Sequence, residues 1–129
     1  MGKNMLKTKY LIIGSSHAGL SAAEEIRTHD KKGFLTMVTM EDILPYSPTI
    51  LPYIISEKVT PDQVNRKDED YFKENKINFI KGKAMTLVDP KTSTAVLTDG
   101  SNVCDEKLLI ATGSEPTFDV ETLALKKVK

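Results

Sequence analysis

The sequence is short of several things, and each shortage narrows what the chain does. It holds one cysteine, Cys104, in 129 residues. A lone thiol forms neither an internal disulfide nor a paired-cysteine metal site, so the chain is expected to be intracellular and cytoplasmic. Tryptophan is absent and aromatic residues make up only 6% of the chain. Charge of one sign is not in excess: 18 Lys and Arg balance 18 Asp and Glu. A neutral chain has no broad basic field for nucleic acid or an anionic membrane surface, so neither is an expected partner. No apolar run approaches the roughly 20 residues that cross a bilayer. The first residues, Met1 to Lys7, lack the apolar stretch of a secretory signal and read as a mobile arm. Ser–His–Asp order, zinc-ligand spacing and a Walker lysine are missing too.

What is present suits one compact domain, with 40% hydrophobic residues and 28% charged. Tyr10 to Ile13 is a short apolar strand of the kind buried in a parallel sheet, and it ends at Gly14. A helix is predicted from about Ala18 to Thr28, with Leu20, Ala23 and Ile26 on one face and Glu24, Glu25 and Arg27 largely elsewhere. Lys31-Lys32-Gly33 breaks it, and Phe34 to Thr39 is the second strand. Met40 to Val59 carries Pro45, Pro48 and Pro52, which exclude a central strand and restrict a regular helix. Its Ile, Leu and Tyr residues are expected to pack on something.

Thr60-Pro61-Asp62-Gln63 has the form of a capped helix start, and a second helical stretch is expected from about Asp68 to Glu74. The charge run from Arg66 to Asp70 reads as solvated. Ile77–Ile80, Ala84–Val88, Ala95–Thr98 and Val103 read as short strands, with turns at 89–92 and 99–100. Leu108 to Ala111 reads as another buried parallel strand. The tail from Phe118 to Lys129 has no strong signal. The order β-α-β, meander, returning strand predicts an α/β, Rossmann-like three-layer fold: a parallel sheet plus a β-meander.

The chemistry-bearing stretch is Gly14-Ser15-Ser16-His17-Ala18-Gly19, lying between the first strand and the helix. Gly14 permits the tight turn and Gly19 lets the helix pack close to the sheet. The helix N-terminus presents unpaired N–H groups and a partial positive charge, which suit a pyrophosphate. Ser16 replaces the middle glycine of the GxGxxG fingerprint; it is small and carries a hydroxyl donor. Glu41 follows the second strand, 22 residues after Gly19, close to the spacing of an acid that binds ribose hydroxyls. A glycine turn in an unrelated α/β domain, with Glu41 merely solvated, is the competing reading.

With these residues the sequence resembles the FAD-dependent pyridine nucleotide–disulfide oxidoreductase superfamily. It is most similar to the branch of ferredoxin and rubredoxin reductases, NADH oxidases and the flavin part of nitrite reductases. The stretches Tyr10–Ala23 (YLIIGSSHAGLSAA), Leu44–Tyr53 (LPYSPTILPY) and Lys107–Pro116 (KLLIATGSEP) carry the likeness, which covers about residues 8–118. It implies FAD as cofactor, NAD(P)H as cosubstrate of a longer parent enzyme, and an electron-acceptor protein or subunit as partner. It implies that Gly14, Ser15, Ser16, His17, Ala18 and Gly19 form the pyrophosphate loop and that Glu41 is the ribose acid. It places Ala84 where backbone commonly contacts adenine, and Ala111, Thr112 and Gly113 at a turn by the FAD.

The departures also speak. Pro48 stands where relatives carry arginine or a redox cysteine, and Tyr53 where several carry a flavin-contacting lysine. The CxxxxC pair is absent, which implies direct electron passage from flavin to acceptor. The second fingerprint and the returning FAD segment of the family are not in the sequence. Residues 1–118 are therefore expected to be the N-terminal part of an FAD domain, an incomplete half-domain inactive by itself. Residues 119–129 are expected to lead toward an NAD-binding domain, and an exposed sheet surface is expected to favour self-association. A free-standing, non-catalytic nucleotide-binding or assembly module is the alternative. His17 reads as loop-filling, His29 as structural and Cys104 as packing, while Tyr46 and Tyr53 divide evenly between flavin contact and core.

Overall fold

The computed structural model describes residues 4–60, 63 and 67–114. The rest of the expected helix after Thr60, the start of the charge run at Arg66 and the tail from Phe118 lie outside the described residues. Along the chain come β1 (Met5–Ile13), α1 (His17–His29), β2 (Leu35–Val38), a 3₁₀ turn (Pro48–Ile50) and α2 (Leu51–Ile55). Then follow α3 (Glu69–Glu74), β3 (Ile77–Ile80), β4 (Met85–Asp89), β5 (Thr94–Leu97) and β6 (Asn102–Ile110). The strands form one sheet in the order β3-β2-β1-β6-β5-β4. The pairs β3·β2, β2·β1 and β1·β6 are parallel, and β6·β5 and β5·β4 are antiparallel. This is the expected α/β architecture of parallel sheet plus meander.

The parallel strands carry apolar side chains on both faces, so both faces are covered. On one, Ile12, Leu35, Met37 and Ile77 pack against Leu20 and Ala23 of α1 and Phe72 of α3. Phe72 stacks on Phe79 with ring centroids 4.1 Å apart. On the other, Leu11, Ile13 and Val38 pack against Ala95, Leu97 and Val103 of the meander. Truncating a residue as buried as Leu20 (2% exposed) costs about 2–5 kcal/mol. Helix α3 begins where expected because the Asp68 side chain accepts from the Tyr71 N–H at 2.9 Å and so caps it.

Four expectations need correction. The supposed mobile arm is partly strand: Met5 to Lys7 belong to β1 and pair with Asn102 to Cys104 of β6. Val103 and Leu108–Ala111 are not separate strands, because β6 runs unbroken through Asp105, Glu106 and Lys107 on a continuous β1 partner. Nor is the end of β6 buried: Leu109 is 40% and Ile110 57% exposed. Finally, the apolar residues of 40–59 do not all pack. Leu44 joins the core, but Ile43, Leu51, Tyr53 and Ile55 are exposed.

Strand β1 also bulges. The N–H groups of Lys9 and Tyr10 both donate to the Phe34 carbonyl at 3.0 Å. Lys9 and Tyr10 therefore project to one side, where both reach the Asp30 carboxylate. The paired strand β6 takes the same offset. Val103 and Leu108 pack on one cluster although strict alternation would part them.

Candidate functional site

The carboxyl ends of β1, β2 and β6 stop beside one another, and a crevice of about 590 Å³ opens there. That volume lies within the range of cofactor pockets. Its floor is the turn from β1 into α1. The Gly14 N–H donates to the Val38 carbonyl at 2.8 Å, and the Ala111 N–H donates to the Ile13 carbonyl at 2.7 Å. Three strand ends are thereby fastened at one point. Gly14 has φ 109°, in the region that favours glycine. A Cβ there would stand 2.0 Å from the Ala111 carbonyl oxygen. Gly19 is constrained from the other side, because its Cβ would stand 2.0 Å from the Gly14 carbonyl oxygen. Both glycines are thus required for the close crossing of strand, turn and helix.

Helix α1 starts at the crevice with Ser16 as N-cap. Ser16 is exposed, makes no capping bond with its hydroxyl, and no acidic residue sits in the first turn. The positive end of a helix of 13 residues is therefore neither neutralised by an acid nor capped by a side chain. Such an end suits an anion.

Glu41 forms part of the opposite wall. Its carbonyl accepts from the Gly82 N–H at 3.1 Å, and the Thr39 carbonyl accepts from the Lys83 N–H at 3.1 Å. These bonds join the segment after β2 to the one before β4. The Tyr46 hydroxyl donates to the Glu41 carboxylate at 3.5 Å. Ala84 lies next along that wall, its carbonyl accepting from the Thr98 N–H at 2.9 Å. Ala111, Thr112 and Gly113 close the remaining side.

The structure thus brings Gly14, Ser15, Ser16, Glu41, Ala84, Ala111, Thr112 and Gly113 around one crevice. It leaves His17, Ala18 and Gly19 off the walls: His17 and Ala18 are exposed on the first turn of α1, and Gly19 is buried beneath it. Tyr46 lines the crevice, whereas Tyr53 is 53% exposed, so neither fills the core. Lys83 was not anticipated. It lines the same wall, and its ammonium is held by Asp99 at 2.5 Å. Its position next to Ala84 was the available signal. Cys104 is half-buried in β6, away from the crevice. Among the described residues no group of His, Cys, Asp and Glu forms a metal site, and no helix is long and apolar enough to cross a membrane.

A sequence profile of the pyridine nucleotide-disulphide oxidoreductase family matches residues 8–127. The chain belongs to that family. Among its relatives is the NADH-dependent phenylglyoxylate dehydrogenase subunit epsilon of Aromatoleum evansii. The two are 47% identical over 118 residues, covering 92% of this chain and 28% of that protein. The NADH-rubredoxin oxidoreductase of Clostridium acetobutylicum is 36% identical over 110 residues, covering 85% of this chain and 28% of the relative. The crystal structure of NADH:rubredoxin oxidoreductase from Clostridium acetobutylicum superposes with a TM-score of 0.81 at 33% identity, over 88% of this chain and 29% of that one. The chain therefore spans under a third of the length of these relatives. In this family member the strand-to-helix loop and the turn at 111–113 meet at one place, so the residues that carry the likeness are also those that build the crevice.

Proposed function

We propose that the crevice holds the adenosine and pyrophosphate end of FAD, and that residues 1–118 serve as the FAD-binding part of an NAD(P)H-dependent flavoprotein oxidoreductase. The observation that carries this reading is the convergence of three things on one crevice: the α1 N-terminus, the Glu41 carboxylate and the 111–113 turn.

The fit rests on shape and on donor chemistry. The glycine at 14 leaves backbone bare where a phosphate approaches. First-turn N–H groups of α1 and the Ser16 hydroxyl supply donors to phosphate oxygens. The Glu41 carboxylate accepts from ribose hydroxyls and repels a 2′-phosphate. The backbone of Ala84 would meet the adenine, and Pro45 and Tyr46, which line the same crevice, would lie on the flavin side. When bound, FAD would supply hydride acceptance from a reduced nicotinamide and electron donation to an acceptor. This chain's residues bind and orient it, and with no paired cysteines they supply no thiol relay. An electron-acceptor protein or subunit completes the pathway, in keeping with relatives named for rubredoxin and as a subunit of a dehydrogenase.

Competition binding on the purified chain tests the reading. FAD and ADP are expected to compete for one site, and FMN, which lacks the adenosine end, is expected not to. Glu41→Ala is expected to weaken ADP about tenfold, the worth of roughly 1.4 kcal/mol. Equal affinity for FMN and FAD, or an unchanged Glu41→Ala variant, would remove the ribose assignment.

A further inference from the structure

The opposite ends of the same strands hold a second groove that the nucleotide does not need. It measures about 250 Å³ and is lined by Phe34, Lys7, Lys9, Lys32 and Glu106, among others. Phe34 is 78% exposed, an unusual position for an aromatic ring in a chain with few. Lys9 is engaged by Asp30 at 2.6 Å. Lys7 and Lys32 have no ion pair among the described residues, and Lys31 stands exposed beside them. Glu106 is the groove's single acid.

The groove also runs along an unfinished strand edge. Pairing of β1 with β2 begins only at Tyr10, so Met5 to Thr8 have β6 on one side and no described strand on the other. Asn4 gives its carbonyl to β6 through the Asn102 N–H, while Lys9 points its N–H to Phe34. By alternation, the backbone groups of Met5 and Lys7 face the open side. Strand groups and cations without a partner among the described residues, beside an exposed ring, form a template for strand addition.

We propose that this groove docks an extended acidic segment of a partner protein, added as a strand beside Met5–Thr8 with an apolar residue against Phe34. The charge decides the occupant. A second copy of this chain would bring Lys7 toward Lys7, whereas carboxylates would meet Lys7 and Lys32. The groove lies at the far strand ends from the crevice, so its occupant and a nucleotide bind together. The inference is independent of the FAD assignment.

The test uses the intact chain and two labelled peptides, one alternating Glu and Val and one alternating Lys and Val, followed by fluorescence anisotropy at low salt. The acidic peptide is expected to bind and the basic one not. The double variant Lys7→Glu, Lys32→Glu is expected to weaken the acidic peptide about tenfold or more. Phe34→Ser is expected to weaken it several-fold with an unchanged melting temperature, since the ring is exposed. ADP affinity is expected to stay constant throughout. Equal binding of both peptides, binding of neither, indifference to the charge reversals, or a peptide-independent dimer abolished by Phe34→Ser would each overturn the proposal.

Discussion

The two ends of β1 are built on opposite principles. Around Asp30, beside the bulge at Lys9 and Tyr10, the protein satisfies itself. The Asp30 carboxylate accepts from the Lys9 ammonium, the Tyr10 hydroxyl and the backbone N–H groups of Lys32 and Gly33. Arg27 donates to the carbonyls of Asn75, Asp30, Gly33 and Lys76 at 2.6–2.9 Å. At the carboxyl end the chain leaves groups unspent. Ser16 caps nothing with its side chain, and Tyr46 reaches Glu41 only at 3.5 Å. Strand β1 is thus anchored by side-chain bonds at its bulge and kept available at its carboxyl end. The crevice end relies instead on backbone crossings at Gly14, where no side chain fits.

Gly14→Ala breaks that arrangement most severely. The added carbon meets the Ala111 carbonyl at 2.0 Å, on a backbone with φ 109°. Relief requires moving β6 away from β1, so the loss is expected to exceed about 3 kcal/mol. Denaturant unfolding measures it, and a variant as stable as the parent would show that the crossing is looser than described. Arg27→Ala strikes the other end. Charge-assisted bonds are worth about 1.5–3 kcal/mol apiece before compensation, but these carbonyls are partly exposed and recover water. A net loss of about 2 kcal/mol is expected, with nucleotide affinity unchanged. A loss of binding without a loss of stability would deny the separation of the two ends.

The sequence made the crevice end more legible than the anchored end. Glycines 14 and 19 and Glu41 were legible from local backbone geometry and short spacing, and the 111–113 turn from the family resemblance. Helix α1 and β3 were placed within about a residue by period and by flanking breakers. The anchored end depends on partners far along the chain. Arg27 reads as an ordinary polar-face residue because Asn75 and Lys76 are 48 and 49 positions away. The bulge at Lys9 arises only when Phe34 offers one carbonyl to two N–H groups. Val103 and Leu108–Ala111 read as two strands, which β1 in fact carries as one through 105–107. Why α2 leaves Ile55 84% exposed has no account in the described packing.

A smaller effect comes from acid. The Lys9 ammonium, then the N–H groups of Gly33 and Lys32, then the Tyr10 hydroxyl hold the Asp30 carboxyl well below the usual carboxylate range. A depressed acid stabilises the fold above its ordinary pKa, near 3.8, and that contribution is lost as pH falls below it. The chain is expected to lose stability below about pH 4, and Asp30→Asn to flatten that slope while costing stability at neutral pH. Melting curves across pH 3–7 check it (on the order of the usual carboxylate range). An unaltered slope would mean that the Lys9–Asp30 pair, both partners partly solvated, adds nothing.

The smallest expected effect has the opposite sign and lies between the two ends. Asp105 sits in the middle of β6 opposite Thr8, 9% exposed. Its N–H donates to the Ser93 carbonyl at 3.0 Å. No cation pairs with its carboxyl among the described residues, and burial pushes its pKa up. An acid whose folded pKa is raised binds its proton more tightly in the native state. Stability is then greatest at low pH and declines as pH rises through the unfolded and then the folded pKa. Asp105→Asn keeps the shape and removes the charge. It is expected to raise the melting temperature slightly at neutral pH, and the gain is expected to vanish below about pH 4, where the parent carboxyl is protonated too. The pairing with Asp30→Asn is informative, because the two variants shift the same curve in opposite directions, one from the C-cap of α1 and one from β6. If Asp105→Asn instead destabilises the chain at neutral pH, the carboxylate has a partner that the strand needs, and the middle of β6 belongs with the anchored end.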